Sequence, residues 1–368
     1  MYEYIYCLSL VPSFGAKKLS EIVGMNILPE ELFSMSPQQH RSIGLTSIQS
    51  RSISNLDRSK ELDLLKGQLQ KDEEIIVFGS TDYPERLYAI PSPPLVLYKK
   101  GNASLNSKRA ISVVGMRDCS KKAIDIVDEF CSGVSNFEPT IISGLANGID
   151  QIAHSKAVKY KMPTLAVLGT GLDVNYPKSG AKLRDQILES GGALISEFKP
   201  GTPALKNHFP RRNRIVAGLA DGVVIVQSKS RGGSLITAKM AFDYDREVMA
   251  YPGNYDDCRY NGCHQLIKEQ KAHLITSYKD VLKILNWDVC RDPSIEKEPS
   301  RSKIEILNLS DQERSVVEVV ELHGKITSDE LIREMVLSSG ALSILLLKLE
   351  LGGILKKING GQYVLSNR

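Results

Sequence analysis

The sequence predicts an α/β fold built on a doubly wound, mainly parallel sheet. Between about residues 75 and 287, strand-like runs alternate with helical segments roughly ten to fifteen residues long. Most runs are continuous apolar stretches, as expected of strands covered on both faces, rather than the in-out alternation of a half-exposed sheet. Gly-rich turns follow several of the runs, at the carboxyl strand ends where open parallel sheets bind ligands.

The 368 residues suffice for two or three domains. A hydrophobic content of 42% and a charged content of 24% are ordinary for a globular protein. The net charge is only +4, so anion binding has to come from local clustering. No run reaches the roughly 18 apolar residues of a membrane span, and no basic-then-apolar leader opens the chain. A cytoplasmic protein with reduced thiols and no membrane partner is expected. The six cysteines (Cys7, Cys119, Cys131, Cys258, Cys263, Cys290) form no CxxC pair, and Cys258, Cys263 and His264 lack a fourth zinc ligand. No metal or cofactor is expected.

Taken in order, residues 1–75 read as a small helical (SAM/helix-hairpin-helix-like) domain. Residues 8–23 carry an apolar lead, a Pro12-x-x-Gly15 turn and a second apolar-periodic helix. The proline-rich segment 82–101 leads extended chain into the sheet. Strands are expected at 75–78, 110–114, 140–142, 164–168, 193–196, 222–227, 247–250 and 273–275. Together, residues 76–287 form the doubly wound domain. Residues 288–303 are polar, contain two prolines and read as a linker. The remainder, 304–368, is expected to form a winged helix: helices over 310–322, 327–335 and 339–351, then a hairpin over 354–365 with an Asn-Gly turn. Residues 302–368 carry eight Lys/Arg against nine Asp/Glu, and the candidate recognition helix has a single basic residue, Lys348. A duplex-reading helix needs phosphate-neutralising charge, so this domain is expected to contact protein, and a winged-helix transcription factor is disfavoured.

The stretch Phe209-Pro-Arg-Arg-Asn-Arg-Ile-Val-Ala-Gly-Leu219 is the most telling segment. Arg211, Arg212, Asn213 and Arg214 crowd a helix start, where forked guanidinium donors and the positive dipole end can hold phosphate oxygens. Four glycine-containing turns accompany it: Gly115-Met-Arg117, Ser143-Gly-Leu-Ala-Asn-Gly148, Gly169-Thr-Gly171 and Arg231-Gly-Gly-Ser234. Together they point to a polyanion site, best read as one for single-stranded nucleic acid. Gly115-Met-Arg-Asp-Cys-Ser120 is not GxGxxG, since an arginine stands where the second glycine belongs, and no acidic residue ends the second parallel strand. Walker A is absent as well. Ser143 and Ser234 are candidate nucleophilic hydroxyls, but no histidine is arranged as a paired base. His154 is expected on a helix surface or packed locally, and His208 on the basic rim. Asp150 is expected near a helix start and Glu197 bonded to loop amides. Phe209, the one aromatic within the basic cluster, is expected to pack inward, so base stacking would contribute little.

At these residues the chain resembles the DNA-processing protein A family (DprA, also called Smf). The motifs are Gly115-x-Arg117, Ser143-Gly-Leu-Ala-Asn-Gly-Ile-Asp150, Gly169-x-Gly-Leu-Asp173 with Tyr176-Pro-Lys178, the 209–219 segment, Gly233-Ser-Leu-Ile-Thr-Ala238 and Tyr251-Pro-Gly253. Upstream Tyr83-Pro-x-x-Leu87 and Pro93-Pro-x-x-Leu97 also fit, so the resemblance spans roughly 75–285. It implies an extended Rossmann-like fold in a protein that is not an enzyme. Such a protein would bind single-stranded DNA, load the RecA recombinase in natural transformation and form a homodimer through the Rossmann-like domain. Carried over by motif, Arg117, Lys178, Arg211, Arg212 and Arg214 would contact phosphates, with Ser143, Gly144, Asn213, Gly233 and Ser234 in the pocket. The chain departs from the family pattern at Gln227, Gly232, Asp245, His264 and Lys271. The alternative is a nucleotide-processing hydrolase of the lysine-decarboxylase-like (phosphoribohydrolase) type. Its Pro-Gly-Gly-x-Gly-Thr-x-x-Glu signature would need a carboxylate where Arg231-Gly-Gly-Ser-Leu-Ile-Thr-Ala238 ends in alanine.

Overall fold

The computed structural model describes residues 1–70, 72–287, 310–335, 339–351, 354–358 and 361–365. The chain divides into two units, Met1–Cys290 and Arg291–Arg368. The expected linker at 288–303 lies outside the described residues.

The first unit opens with helices α1 (Tyr2–Ser9), α2 (Ala16–Gly24), α3 (Pro37–Ser42), α4 (Ser47–Asn55) and α5 (Arg58–Gln68). Local chemistry sets their starts: Ser36 with Gln39, and Thr46 with Gln49, close reciprocal capping boxes, and the Asp57 carboxylate accepts the Lys60 amide. The sheet region follows as β1 (Glu73–Val77), α6 (Glu85–Tyr88), β2 (Val96–Gly101), β3 (Ala110–Val114), α7 (Lys121–Val134), β4 (Thr140–Ser143), α8 (Ile149–Lys159), β5 (Thr164–Leu168), α9 (Ala181–Glu189), β6 (Ala193–Ser196), α10 (His208–Gly218), β7 (Gly222–Ile225), α11 (Ser234–Asp243), β8 (Glu247–Ala250), α12 (Asn261–Lys268), β9 (His273–Leu274) and α13 (Tyr278–Ile284).

Among the described residues these strands form one nine-stranded sheet in the order β1-β2-β6-β5-β4-β3-β7-β8-β9. Strands β3 to β9 are mutually parallel, β2 runs antiparallel to β6, and β1 antiparallel to β2. All five residues of β3 and of β5 are buried, as their apolar runs require. Successive side chains go to opposite faces. Leu165 and Val167 join the core beneath α10 and α11, while Ala166 and Leu168 join the core beneath α9 and the N-terminal helices. On α7, Ala123, Val127, Phe130, Cys131 and Val134 recur at helical spacing and bury one stripe against β3, β4 and β7.

Two expectations change. β2 is a full strand in a segment the sequence assigns only to extended lead-in chain. The boundary expected at 75 falls inside β1, because α1, α2 and their neighbours share one core with the sheet: Ile5, Leu8, Leu19 and Ile22 pack in the cluster that holds Val77, Tyr98 and Leu168.

In the second unit, α14 (Asp311–His323), α15 (Ser328–Met335) and α16 (Ser339–Leu351) accompany strands β10 (Ile326–Thr327), β11 (Leu355–Ile358) and β12 (Gln362–Leu365), paired antiparallel in the order β10-β12-β11. Val316, Val320, Leu331, Leu342, Leu346, Leu349 and Tyr363 form its core.

Candidate functional site

The loops after β3, β4 and β5, with the start of α10, enclose a narrow cleft at the carboxyl edge of the sheet. Arg117, Asn147, Tyr176, Phe209 and Arg212 line it, with Gly144, Leu168, Gly169 and Pro177. The loops meet because Gly148 adopts φ +82°, and a Cβ there would stand 2.3 Å from the Met116 and Arg117 carbonyl oxygens. Any other residue would push the β4–α8 loop off the β3–α7 loop. Lys178 follows the lining residue Pro177 on a 3₁₀ turn and is exposed, as is Arg117 on the loop after β3.

The arginine cluster divides by direction. Arg211 keeps 60% of its side chain exposed, lies over the Phe198 ring and bonds the Glu197 carboxylate at 3.2 Å. Arg214 is only 12% exposed and pairs with the same carboxylate oxygen at 2.5 Å. Arg212 turns inward and is 4% exposed, its guanidinium donating to the Gly144 and Val167 carbonyls and, at 3.1 Å, to Asn213 Oδ1. The expectation that all three arginines fork onto phosphates is therefore revised. Arg212 is a brace across the ends of β4 and β5, Arg214 is neutralised by Glu197, and Arg211 alone of the three is presented broadly to solvent. Glu197 holds these arginines rather than loop amides. His208 does not join the rim; it is buried and stacks on Phe198 at 4.1 Å.

Below the cleft, Asp150 lies in the first turn of α8, as expected, and accepts the Gly144 amide at 3.2 Å and the Ala146 amide at 3.4 Å. Burial pushes its carboxyl up, opposed chiefly by the positive charge of Arg212. Burial also pushes Arg212 down to about 10, which leaves it charged at neutral pH. Gly144 admits this brace, since a Cβ there would meet the Arg212 guanidinium at 2.3 Å. Ser143 is fully buried and donates its hydroxyl to the Val113 carbonyl at 2.6 Å, so it offers no hydroxyl to a ligand. His154 is buried rather than on a helix surface. Thr164 donates to the Ile141 carbonyl, so His154 Nδ1 is the donor in its 2.7 Å bond to Thr164 Oγ1, and burial holds the ring neutral, down to about 3.

Gly233 and Ser234 stand apart from this cleft, after β7 on the other side of β3. Gly233 is exposed, but Ser234 is buried and bonds Ser228 Oγ at 2.9 Å. The crevice between β3 and β7, where the strand order reverses and a dinucleotide would lie, is bridged by Gln227. Its side chain accepts the Ser120 amide at 3.0 Å and donates to Ser120 Oγ at 3.2 Å. The family departure at Gln227 thus ties α7 to the end of β7.

Asn147, Tyr176 and Phe209 belong to the quoted motifs but were not expected to contact ligand, and they form part of the wall. Phe209 is half-buried but faces the cleft, with its ring 5.4 Å from that of Tyr176, which is 40% exposed. The expectation that Phe209 packs away from ligand is revised accordingly. The signal available in sequence was that Tyr176 and Phe209 each stand one proline before a basic residue, Lys178 and Arg211. Among the described residues, no group of three or more His, Cys, Asp or Glu is placed to hold a metal ion, and no helix is long and apolar enough to cross a membrane. Cys258 is exposed while Cys263 is buried, so the two thiols share no centre.

The family model for DNA recombination-mediator protein A matches residues 74–286. The chain belongs to that family. DNA processing protein DprA of Streptococcus pneumoniae is 46% identical over 200 residues, covering 54% of this chain and 70% of the relative. DprA of Bacillus subtilis is 39% identical over 211 residues, covering 57% and 70%. The X-ray structure of Streptococcus pneumoniae DprA superposes with a TM-score of 0.66 at 35% identity over 77% of this chain and 97% of that one. DNA processing protein A of Helicobacter pylori, whose structure describes a single-stranded DNA binding mode of that protein, shares the fold with a TM-score of 0.53 at 23% identity, over 59% of this chain and 96% of that one. The cleft and every motif that carried the resemblance therefore lie inside the family-matched region.

Proposed function

We propose that this chain is a single-stranded DNA-binding recombination mediator that protects incoming single strands and loads the RecA recombinase in natural transformation. The reading is carried by the cleft itself, in a member of the recombination-mediator family. Exposed Arg117 lines a narrow cleft walled by Tyr176 and Phe209, and exposed Lys178 directly follows the lining residue Pro177. Cations at the rim suit phosphates, and the aromatic wall suits an unstacked base, which a stiff duplex does not offer. The protein acts in the cytoplasm as a homodimer through the Rossmann-like domain. Its N-terminal helices serve as a helix-hairpin-helix-like module. The second unit, whose described residues hold three helices and a three-stranded sheet, is a winged helix that contacts protein, in keeping with the acidic balance of residues 302–368.

Fluorescence anisotropy with labelled oligo-dT and a matched duplex tests this reading. Single-strand binding that weakens steeply with salt, with the duplex much weaker, is the expected result. Equal affinity for both would overturn it. The aromatic wall makes a separate prediction. The Tyr176→Ala/Phe209→Ala double variant should lose roughly 10- to 100-fold in oligo-dT affinity, since stacking is worth about 1–3 kcal/mol per base, while its salt slope stays that of the wild type. An unchanged affinity would return Phe209 to a purely structural role.

A further inference from the structure

Behind the cleft wall, a small polar network fixes the direction of one amide. Gln151 on α8 places Nε2 3.3 Å from the Leu145 carbonyl, 3.2 Å from Asn147 Oδ1 and 3.3 Å from Ser179 Oγ. Ser179, next to Lys178, donates to Asn147 Oδ1 at 2.6 Å. The orientation follows from chemistry. A carbonyl can only accept, so Leu145 requires the nitrogen of Gln151 on its side. That nitrogen also faces Asn147, which must therefore present its oxygen, and the Ser179 hydroxyl reinforces the choice. The Asn147 amide nitrogen makes no bond to the described residues, and Asn147 lines the cleft.

We propose that Asn147, held in this orientation, is the residue that makes the cleft discriminate between bases. This inference rests on the single-strand reading of the site. The exposed charged group on the wall, Arg117, is a donor only, while the buried Arg212 guanidinium is turned onto the Gly144 and Val167 carbonyls. A base resting against Tyr176 and Phe209 therefore meets the donors of Asn147 and Arg117, and a keto edge (thymine O4, guanine O6) satisfies them. The exocyclic amine of cytosine or adenine sets donor against donor and leaves both without a partner. The network also ties the turn that carries Lys178 to the start of α8, so base and phosphate contacts are set by one clasp.

Oligo-deoxyuridine and oligo-deoxycytidine of one length, titrated near neutral pH, differ chiefly at this edge and lack the thymine methyl. The full chain is expected to bind deoxyuridine about fivefold more tightly. In Asn147→Ala that ratio falls to about one, with no added charge to confuse it. In Gln151→Leu, which leaves Asn147 in place but frees its amide to rotate, the ratio also collapses, while the salt slope set by Arg117 and Lys178 persists. Binding of both strands with no discrimination, or discrimination that survives Asn147→Ala, would overturn the proposal and leave the single-strand reading standing. Failure to bind either strand would instead remove that reading.

Discussion

Replacing Arg212 with methionine is expected to destabilise the fold by about 3–5 kcal/mol and to open the floor of the cleft. Methionine keeps much of the apolar stem but supplies no donors. The Gly144 and Val167 carbonyls then lose their bonds, and the buried Asp150 carboxylate loses the positive charge that opposes its desolvation. The loss should depend on pH with a definite sign. Asp150 already sits above the usual carboxylate range because of burial, and removing Arg212 raises it further. Between the unfolded and folded values the folded state holds more protons, so stability falls as pH rises and levels off above the folded value. The deficit of Arg212→Met relative to wild type should therefore be larger at about pH 7.5 than at about pH 5, and adding Asp150→Asn should recover part of it. Urea unfolding at the two pH values checks this. A variant as stable as wild type, or equally impaired at both, would contradict the brace.

The same residue shows where the sequence was legible and where it was not. An arginine-rich helix start reads as an anion site because residue types are visible and directions are not. Four consecutive helical positions turn through most of a circle, so Arg211, Arg212 and Arg214 cannot share one target. The periodicity carried the correction: His208, Arg212, Ile215 and Val216 lie on one stripe, and all four are buried. Ser143 was likewise indistinguishable from a surface hydroxyl until the strand register placed it under β3. The cleft wall depends on loops from β3, β4 and β5 meeting in space, which local pattern does not encode.

The fold was more legible because its signals are local. Parallel strands β3, β5, β6 and β8 were readable end to end from their apolar runs and flanking turns. β2 was not, since its prolines precede it and its role is set by antiparallel pairing with β1 and β6. The N-terminal helices read correctly as helices, but that they share a core with the sheet depends on long-range packing of Leu8 and Leu19 against the face that holds Leu168.

A second large effect is expected at the cleft. Arg117 and Lys178 are both exposed and stand on separate loops, Arg117 lining the cleft and Lys178 following the lining residue Pro177. Arg117→Ala/Lys178→Ala should lower oligo-dT affinity by about 10- to 100-fold at low salt while leaving stability unchanged, because neither side chain is part of the core. Each neutralised phosphate of a single strand contributes about 0.7 to the slope of log affinity against log salt, so losing two contacts should reduce that slope by about 1.4. The salt titration of wild type and double variant on one labelled oligo-dT is thus the direct measurement. A weaker, shallower salt dependence in the variant is the predicted result. An affinity and slope matching the wild type would place the DNA elsewhere on the molecule and contradict the site.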